Sequence, residues 1–490
     1  MNLLKKHLKD YLEVTYRFLC SPKFKYIFSL CYALYLSFMF YPGILYSDSH
    51  PRWELAKAIS EGGLFHSYPY LSDHHPTIPS LLMSFFYGLT GEVGFYIFIQ
   101  AFFFSISFFL LANEFKKDVL TNVLIAIVLV LPVNSVYAIF HSFDSVGAIG
   151  LALLSLAFIR IYKKKPHGVV VLIIAFFLLT SHRINSVLLL PVLIGLLIWV
   201  STIKGGVNRK RIIPISIALT VVACMPFIVP RLMGLHKANA SVVGWCFEYS
   251  NLATLSKYPV HKDFLDKIDI ALDDLRMEHD SKYHSEYSSS SHKILGKVKF
   301  DDALSAELTQ LYFRMIYKEP VLFFTEKLKY LKYSWGLASP LWNTEIGKWQ
   351  DIPSWQPIFT DKYAFVPNEK KNKFIRTYFN FSSNWLFLFR PLLLFINLFS
   401  VLLVVINFRK RLTINKQLIV SILLVYSLAF LYYATFAINS PGAHFRYFFP
   451  SLFVLQVLFI VILPSVSSAA LRFIRTGNSG YQLTKILKSN

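Results

Sequence analysis

Repeated apolar runs of roughly membrane-spanning length constrain this chain more than any other feature of its sequence. Hydrophobic residues make up 55% of its 490 residues and charged residues only 16%, which excludes a soluble globular protein of this size. About 20 consecutive apolar residues are needed to cross a bilayer as a helix. We therefore predict an all-α polytopic membrane protein with about 10 transmembrane helices, at residues 25–42, 93–112, 119–139, 145–162, 168–181, 185–202, 212–230, 385–407, 417–438 and 447–464.

The positive charge of the chain predicts the orientation of these helices. The net charge is +22, and the basic residues lie in short clusters between apolar runs, near residues 5–9, 116–117, 160–165, 204–211, 409–416 and 472–475. Lys and Arg are enriched in cytoplasmic loops of membrane proteins. Ten spans place both termini and every one of these clusters on the cytoplasmic side. The charge is thereby explained without a nucleic-acid partner.

This topology divides the chain into five parts: a cytoplasmic interfacial helix at 1–24, an N-terminal transmembrane module at 25–231 with a first outer loop at 43–92, an outer domain at 232–384, C-terminal transmembrane helices at 385–464, and a basic cytoplasmic tail at 465–490. The first apolar run is followed by bulky residues in place of a small-residue cleavage site, so we expect it to be retained as a span.

Three shorter stretches receive their own predictions. The apolar stretch from Thr77 to Thr90 is too short to cross a bilayer, and we expect an interfacial or re-entrant helix there. The outer domain shows helical spacing of apolar residues at 265–279 and 319–337, and we expect the second of these helices to lie on the membrane.

The first outer loop gathers the strongest candidate site residues. Asp48 follows the first span within a few residues, which predicts a carboxylate at the outer membrane surface, where it is placed for catalysis. The alternative is a helix cap before Pro51. Arg52, Asp73, His74 and His75 follow in the same loop, and the histidines fit phosphate binding, metal binding, proton transfer or a plain turn.

Further charged residues fall at the predicted outer borders of other spans. Arg183 and its neighbour His182 lie in a turn between two spans, on the predicted outer side. Positive charges that orient a membrane protein lie on the cytoplasmic side, so Arg183 has another role. Arg suits bidentate contact with phosphate. Asp144 begins another span, where it faces the same cavity or caps a helix. A last group precedes the final span: His444, Arg446 and Tyr447. Together these residues predict an outward-facing cavity that binds an anion. The alternative for the arginines is contact with lipid headgroups.

This order of motifs resembles the membrane-embedded glycosyltransferases of the GT-C superfamily, which includes protein O-mannosyltransferases and the aminoarabinose transferases of lipid A. The resemblance rests on an acidic residue after the first span (SDS, Asp48) and on the element DHHPTIPSLLMSFFYGLTG. It continues with a basic residue in a short hairpin (LLTSHRINSVLLLP) and with FRYFFP before the last span. The chain is also similar in size and layout to transferases that add glucose to O-antigen.

The resemblance implies an enzyme that takes a sugar from a polyprenyl-phosphate donor and passes it, with inversion, to a hydroxyl of a glycan or lipid-linked glycan. Asp48 would be the general base, Arg183 and Arg446 would hold the lipid phosphate, and His74 or His75 would assist. Many relatives have a DE or DxD pair where this chain has SDS, which argues against metal dependence, so no cofactor is assigned and a divalent metal stays open. The expected location is the bacterial cytoplasmic membrane, with the site facing outward.

Two other classes of protein remain open. A polymerase or ligase of O-antigen also has about ten spans and a large outer loop, but it is expected to use Arg and His and not a carboxylate after the first span. A transporter tends to carry ionisable residues near the middle of the bilayer and repeated halves, whereas the charges here lie at the predicted outer border.

Overall fold

The computed structural model describes residues 13–19, 21–41, 43, 49–63, 66–68, 71, 73, 76–92, 94–141, 143–204, 209–236, 302–334, 377, 416–439 and 448–461. Within these ranges the chain is helical and contains no β-strand. The predicted span at 385–407, the helix at 265–279 and the tail at 465–490 lie outside the described residues.

The helices follow one another with short connections. Residues 13–19 are helical, and they are followed by α1 (Pro22–Phe40), α2 (Ser49–Gly62), α3 (Thr77–Thr90), α4 (Gly94–Phe115), α5 (Val119–Val130), α6 (Pro132–Ile139), α7 (Phe143–Tyr162), α8 (Gly168–His182), a 3₁₀ helix (Ile184–Leu189), α9 (Leu190–Lys204), α10 (Arg209–Leu232), α11 (Asp302–Lys318), α12 (Pro320–Ser334), α13 (Lys416–Asn439) and α14 (Phe448–Val461). The predicted short helix at 77–90 is confirmed with the same bounds, while its position relative to a membrane stays a prediction.

Five of the described helices are long and apolar enough to cross a membrane: Gly94–Phe115, Phe143–Tyr162, Ile184–Thr202, Lys210–Leu232 and Gln417–Phe436. Each overlaps a predicted span. The predicted spans at 168–181 and 447–464 correspond to shorter apolar helices. The first predicted span forms α1, which carries Lys23 and Lys25 in its first turn and falls outside these five. These helices support a multi-pass helical membrane protein.

The predicted span at 119–139 is not one straight helix. It is divided into Val119–Val130 and Val133–Ile139, whose axes differ by 69°. The break falls at Leu131, whose backbone has an extended ψ of 138°, and Pro132 opens the next helix. The residue before a proline is sterically disfavoured in the helical conformation, because the proline ring meets its backbone. The sequence LPVN therefore contained the signal for this break.

The helices pack around α4 and α7. In the apolar segment of Phe143–Tyr162, 89% of the residues are buried inside the protein, whereas only 28% are buried in that of Lys210–Leu232. The outward face of α10 exposes apolar side chains such as Ile213, Ile217 and Val221, as expected for a surface that contacts lipid. Thus α7 is a central helix and α10 is a peripheral one.

Aromatic side chains pack α14 against α4 and α6. Phe453 lies 4.3 Å from Phe104 and 4.7 Å from Phe108 between ring centroids, and Phe449 stacks on Tyr137 at 3.6 Å. Such ring pairs contribute roughly 0.5–1.5 kcal/mol each beyond the burial of their area. The last described helix is thereby held against α4 and α6.

Candidate functional site

Five of the eleven predicted site residues lie in the described part of the chain: Arg52, Asp73, Asp144, His182 and Arg183. The other six lie outside the described residues: Asp48, His74, His75, His444, Arg446 and Tyr447. Their roles stay predictions.

A buried ion pair joins Asp144 to Arg183. Asp144 lies in the first turn of α7 and its side chain is 0% exposed, while Arg183 directly follows α8 and its side chain is 15% exposed. The guanidinium Nη2 donates to the carboxylate Oδ1 at 2.5 Å. The guanidinium also lies 5.2 Å from the ring of Phe143 and 5.5 Å from that of Phe436. Asp144 and Arg183, predicted separately, therefore form one unit.

Arg52 enters the same cluster from α2. Its side chain is buried and donates through Nη2 to the backbone carbonyl of His141. Its guanidinium lies 4.0 Å from the ring of Phe143, which also contacts Arg183. A guanidinium placed over an aromatic face is attracted by the ring quadrupole. Phe143 therefore holds two guanidinium groups near each other.

His141 lies beside this cluster and was not among the predicted site residues. Trp53 Nε1 lies 3.3 Å from His141 Nδ1, and the ring of Tyr96 stacks on the imidazole with centroids 6.0 Å apart. Ser49 Oγ donates to the carbonyl of His141 at 3.0 Å. His141 lies within HSFDS, three residues before the predicted site residue Asp144, and this position is the signal from which it could have been found.

The segment that follows α1 packs against His141. Gly43 has a φ of +94°, and a Cβ there would lie 2.6–2.9 Å from Ile97, the carbonyl of Ile139 and the ring of His141. Only glycine meets both demands, because it has no Cβ and tolerates a positive φ. The chain that leaves α1 therefore passes directly beside His141 at Gly43.

The buried polar atoms at this cluster that lack a hydrogen-bond partner among the described residues include Nε2 of His182 and the hydroxyl of Tyr432. The sequence reasoning missed Tyr432. His182 feels the charges of Arg52 and Arg183, and Tyr432 feels those of Asp144 and Arg183. Unsatisfied buried polar groups cost roughly 1–3 kcal/mol each and are rare in native proteins. Each of the two atoms would gain a hydrogen bond from a ligand or a water molecule bound inside the cluster.

The backbone of Asp73 pairs with the chain that follows α10. Its backbone N–H donates to the carbonyl of His236 at 2.9 Å, and His236 N–H donates to Leu71 O at 2.9 Å. Tyr68 N–H likewise donates to the carbonyl of Met233. These bonds tie the segment before α3 to the chain that leaves α10. The role of Asp73 in the site stays a prediction.

The arrangement suits an anion. It brings together two guanidinium groups, one carboxylate and a buried imidazole from α2, α7 and the end of α8. Asp144 offsets one of the two guanidinium charges. Guanidinium groups bind phosphate in a bidentate manner. Across the described ranges, no three His, Cys, Asp or Glu side chains are grouped closely enough to hold a metal ion.

No family model, curated protein or solved structure matches this chain. The assignment of function therefore depends on the residues and the geometry described above.

Proposed function

We propose that the chain is a membrane glycosyltransferase of the GT-C type. It would move a sugar from a polyprenyl-phosphate donor to a hydroxyl of a cell-surface glycan or lipid, with inversion at the anomeric carbon. The proposal includes about ten spans and a bacterial cytoplasmic membrane, with the reaction on the outer face.

The observation that carries this proposal is the convergence of Arg52 and Arg183 on one buried aromatic ring. They come from distant parts of the sequence, yet they lie 4.0 and 5.2 Å from Phe143. Asp144 offsets one of these two positive charges, and an anion bound beside the guanidinium groups would be stabilised by both of them. A lipid-linked phosphate is such an anion, and a leaving phosphate develops negative charge during transfer.

In this proposal Asp48 is the general base, and its position in the chain supports that role. Asp48 is joined by a peptide bond to Ser49, whose hydroxyl lies 3.0 Å from the carbonyl of His141. A carboxylate is adequate as a general base here, because the leaving group is a phosphate and needs no strong push from the nucleophile. In this assignment Asp48 accepts the proton of the acceptor hydroxyl, Arg52 and Arg183 stabilise the departing phosphate, and Asp144 orients Arg183.

The two ends of α7 support the proposed orientation. Asp144 lies at its first turn, whereas Arg160 lies in its last turn and is followed by Lys163 and Lys165. Since positive residues mark the cytoplasmic side, the Asp144 end would face outward. A polyprenyl-phosphate donor in the outer leaflet would then meet the site.

The broken helix α5–α6 invites comparison with transporters, whose discontinuous helices bind ions through freed carbonyls. Here the freed carbonyls have internal partners. Asn134 Nδ2 donates to Val128 O at 2.8 Å, and Leu129 O accepts from Tyr32 and Ser135 at 2.9 and 3.2 Å. The break therefore gives no independent support to transport.

The function is tested by mass profiles of surface glycans from cells with and without the gene. A transferase adds a fixed increment of one sugar to the acceptor glycan. A polymerase or ligase would instead change chain length or the amount of attached glycan. An unchanged profile, with the protein present in the membrane, would contradict the proposal.

A further inference from the structure

A second charged cluster lies at the opposite end of α4 and α7 from the candidate site. Its centre is Glu114, whose side chain is buried and which lies in the last turn of α4. Lys165 Nζ contacts Glu114 Oε1, Arg160 Nε lies 3.5 Å from Oε2, and Lys163 Nζ donates to the backbone carbonyl of Glu114 at 2.7 Å. One carboxylate thus holds three cations.

Two more lysines extend this positive cluster. Lys25 lies in the first turn of α1, and Lys117 lies two residues after the end of α4. Lys25 is repelled by the charges of Lys117 and Arg160. In the described part of the chain, neither Lys25 nor Lys117 has a carboxylate within 4 Å, whereas Lys116 pairs with Asp118. Three of the five cations therefore pair with Glu114, and Lys25 and Lys117 add further positive charge beside them.

The backbone fixes these cations in place. The turn from α7 to α8 contains Lys164 and His167 at φ values of 57° and 64°, in the left-handed region. Lys165 N–H donates to Arg160 O at 2.8 Å, and Lys163 N–H donates to Ile159 O at 2.9 Å. Left-handed backbone costs free energy in residues other than glycine and persists where the surrounding structure enforces it. The cations are therefore held together rather than dispersed by their repulsion.

Lys163, whose side chain is 17% exposed, is not simply a solvated surface charge. Desolvation lowers the pKa of Lys163, and the nearby Glu114 offsets part of this effect. Like charges held together and partly desolvated are stabilised by a bound anion, since its charge replaces the missing counter-charge.

We propose that this cluster, Lys25, Lys117, Arg160, Lys163 and Lys165, binds the phosphate of an anionic phospholipid headgroup. The lipid is favoured over a soluble phosphate because α4 and α7, which carry the cluster at their ends, are both candidate membrane spans. Basic pockets between transmembrane helices recognise anionic headgroups at that depth. The site is separate from the glycosyl-transfer site and does not depend on that proposal.

The test is native mass spectrometry of the detergent-solubilised full-length protein, titrated with short-chain phosphatidylglycerol. Phosphatidylcholine with the same acyl chains is the neutral arm, and excess inorganic phosphate is the soluble competitor. We expect a one-to-one phosphatidylglycerol adduct that phosphatidylcholine does not form and that inorganic phosphate does not displace. Equal retention of both lipids, or displacement by inorganic phosphate, would overturn the proposal of a phospholipid site.

The variant Lys25→Gln/Lys117→Gln removes two cluster cations without touching the contacts of Glu114. Each basic residue near a membrane surface contributes about a fivefold gain in affinity for anionic lipid, so we expect roughly 30-fold weaker binding. The matched control is Lys210→Gln/Arg211→Gln, which removes the same charge from the exposed start of α10. Full binding by the cluster variant, or an equal loss in the control, would refute the site. Thermal unfolding of both variants verifies that they are folded.

Discussion

The Asp144–Arg183 pair yields the sharpest quantitative prediction. Asp144→Asn removes the negative charge with little change in volume, and Arg183→Met retains an apolar stem against Phe143 and Phe436. Since Asp144 is fully buried, each single change leaves a charge without its partner. Breaking a buried pair in this way costs roughly 3–5 kcal/mol. The double variant contains neither charge, so it should cost less than the sum of the singles, with a coupling free energy of about 2 kcal/mol.

The assay is a double-mutant cycle from unfolding in mixed micelles, followed by tryptophan fluorescence. A control cycle uses Lys57 and Glu61, an exposed pair one turn apart on α2 at 3.8 Å. Exposed helix pairs contribute only about 0.3–0.5 kcal/mol. Additive single effects at Asp144 and Arg183, within about 0.5 kcal/mol, would refute the buried pair.

Two further changes test local features of the fold. Asp118 caps α5 by accepting from Thr121 N–H at 2.7 Å, so Asp118→Ala should cost about 1 kcal/mol in thermal unfolding, whereas Asp118→Asn should cost less. Burial raises the pKa of Asp118, but the hydrogen bonds from Lys116 and Thr121 lower it overall. The wild type should therefore lose this stabilisation as the pH falls below 3.8 through the lowered folded-state pKa, and the Asn variant should not. Gly147→Ala places a Cβ 2.8 Å from the Tyr432 hydroxyl and should cost roughly 1–3 kcal/mol, with much of the loss recovered by adding Tyr432→Phe. Gly195→Ala, where a Cβ meets nothing within 4 Å, should not destabilise; a loss as large as that at Gly147 would contradict the steric argument.

The helices were largely predictable because apolar length is a local property of the sequence. The bounds of α3 agree with the prediction, and long apolar helices overlap the predicted spans at 93–112, 145–162, 185–202, 212–230 and 417–438. The break at Leu131 was missed, although Pro132 signalled it. Residues 119–139 were predicted as one span because the length of the apolar run fits a bilayer, and Pro132 was not taken as a break.

The site was predictable only as a set of residue types. Asp144 and Arg183 were chosen for their positions at the ends of apolar runs, yet nothing in a 39-residue separation indicates that they pair. Their contact is set by the packing of α7 against α8. Tyr432 was missed for the same reason, because its role depends on α13 crossing beside Asp144 and Gly147. The pairing of the Asp73 backbone with His236 was not foreseen, because the two residues are far apart in the sequence.

The measurement that tests the central claim most directly is the glycan mass profile of cells carrying wild type, Asp48→Asn or Glu61→Gln at matched protein levels. Glu61 is an exposed acid on α2, so Glu61→Gln is the same chemical change away from the proposed chemistry. The account predicts a fixed sugar increment with wild type and Glu61→Gln, and loss of that increment with Asp48→Asn. An increment that survives Asp48→Asn would contradict the role of Asp48 as the base.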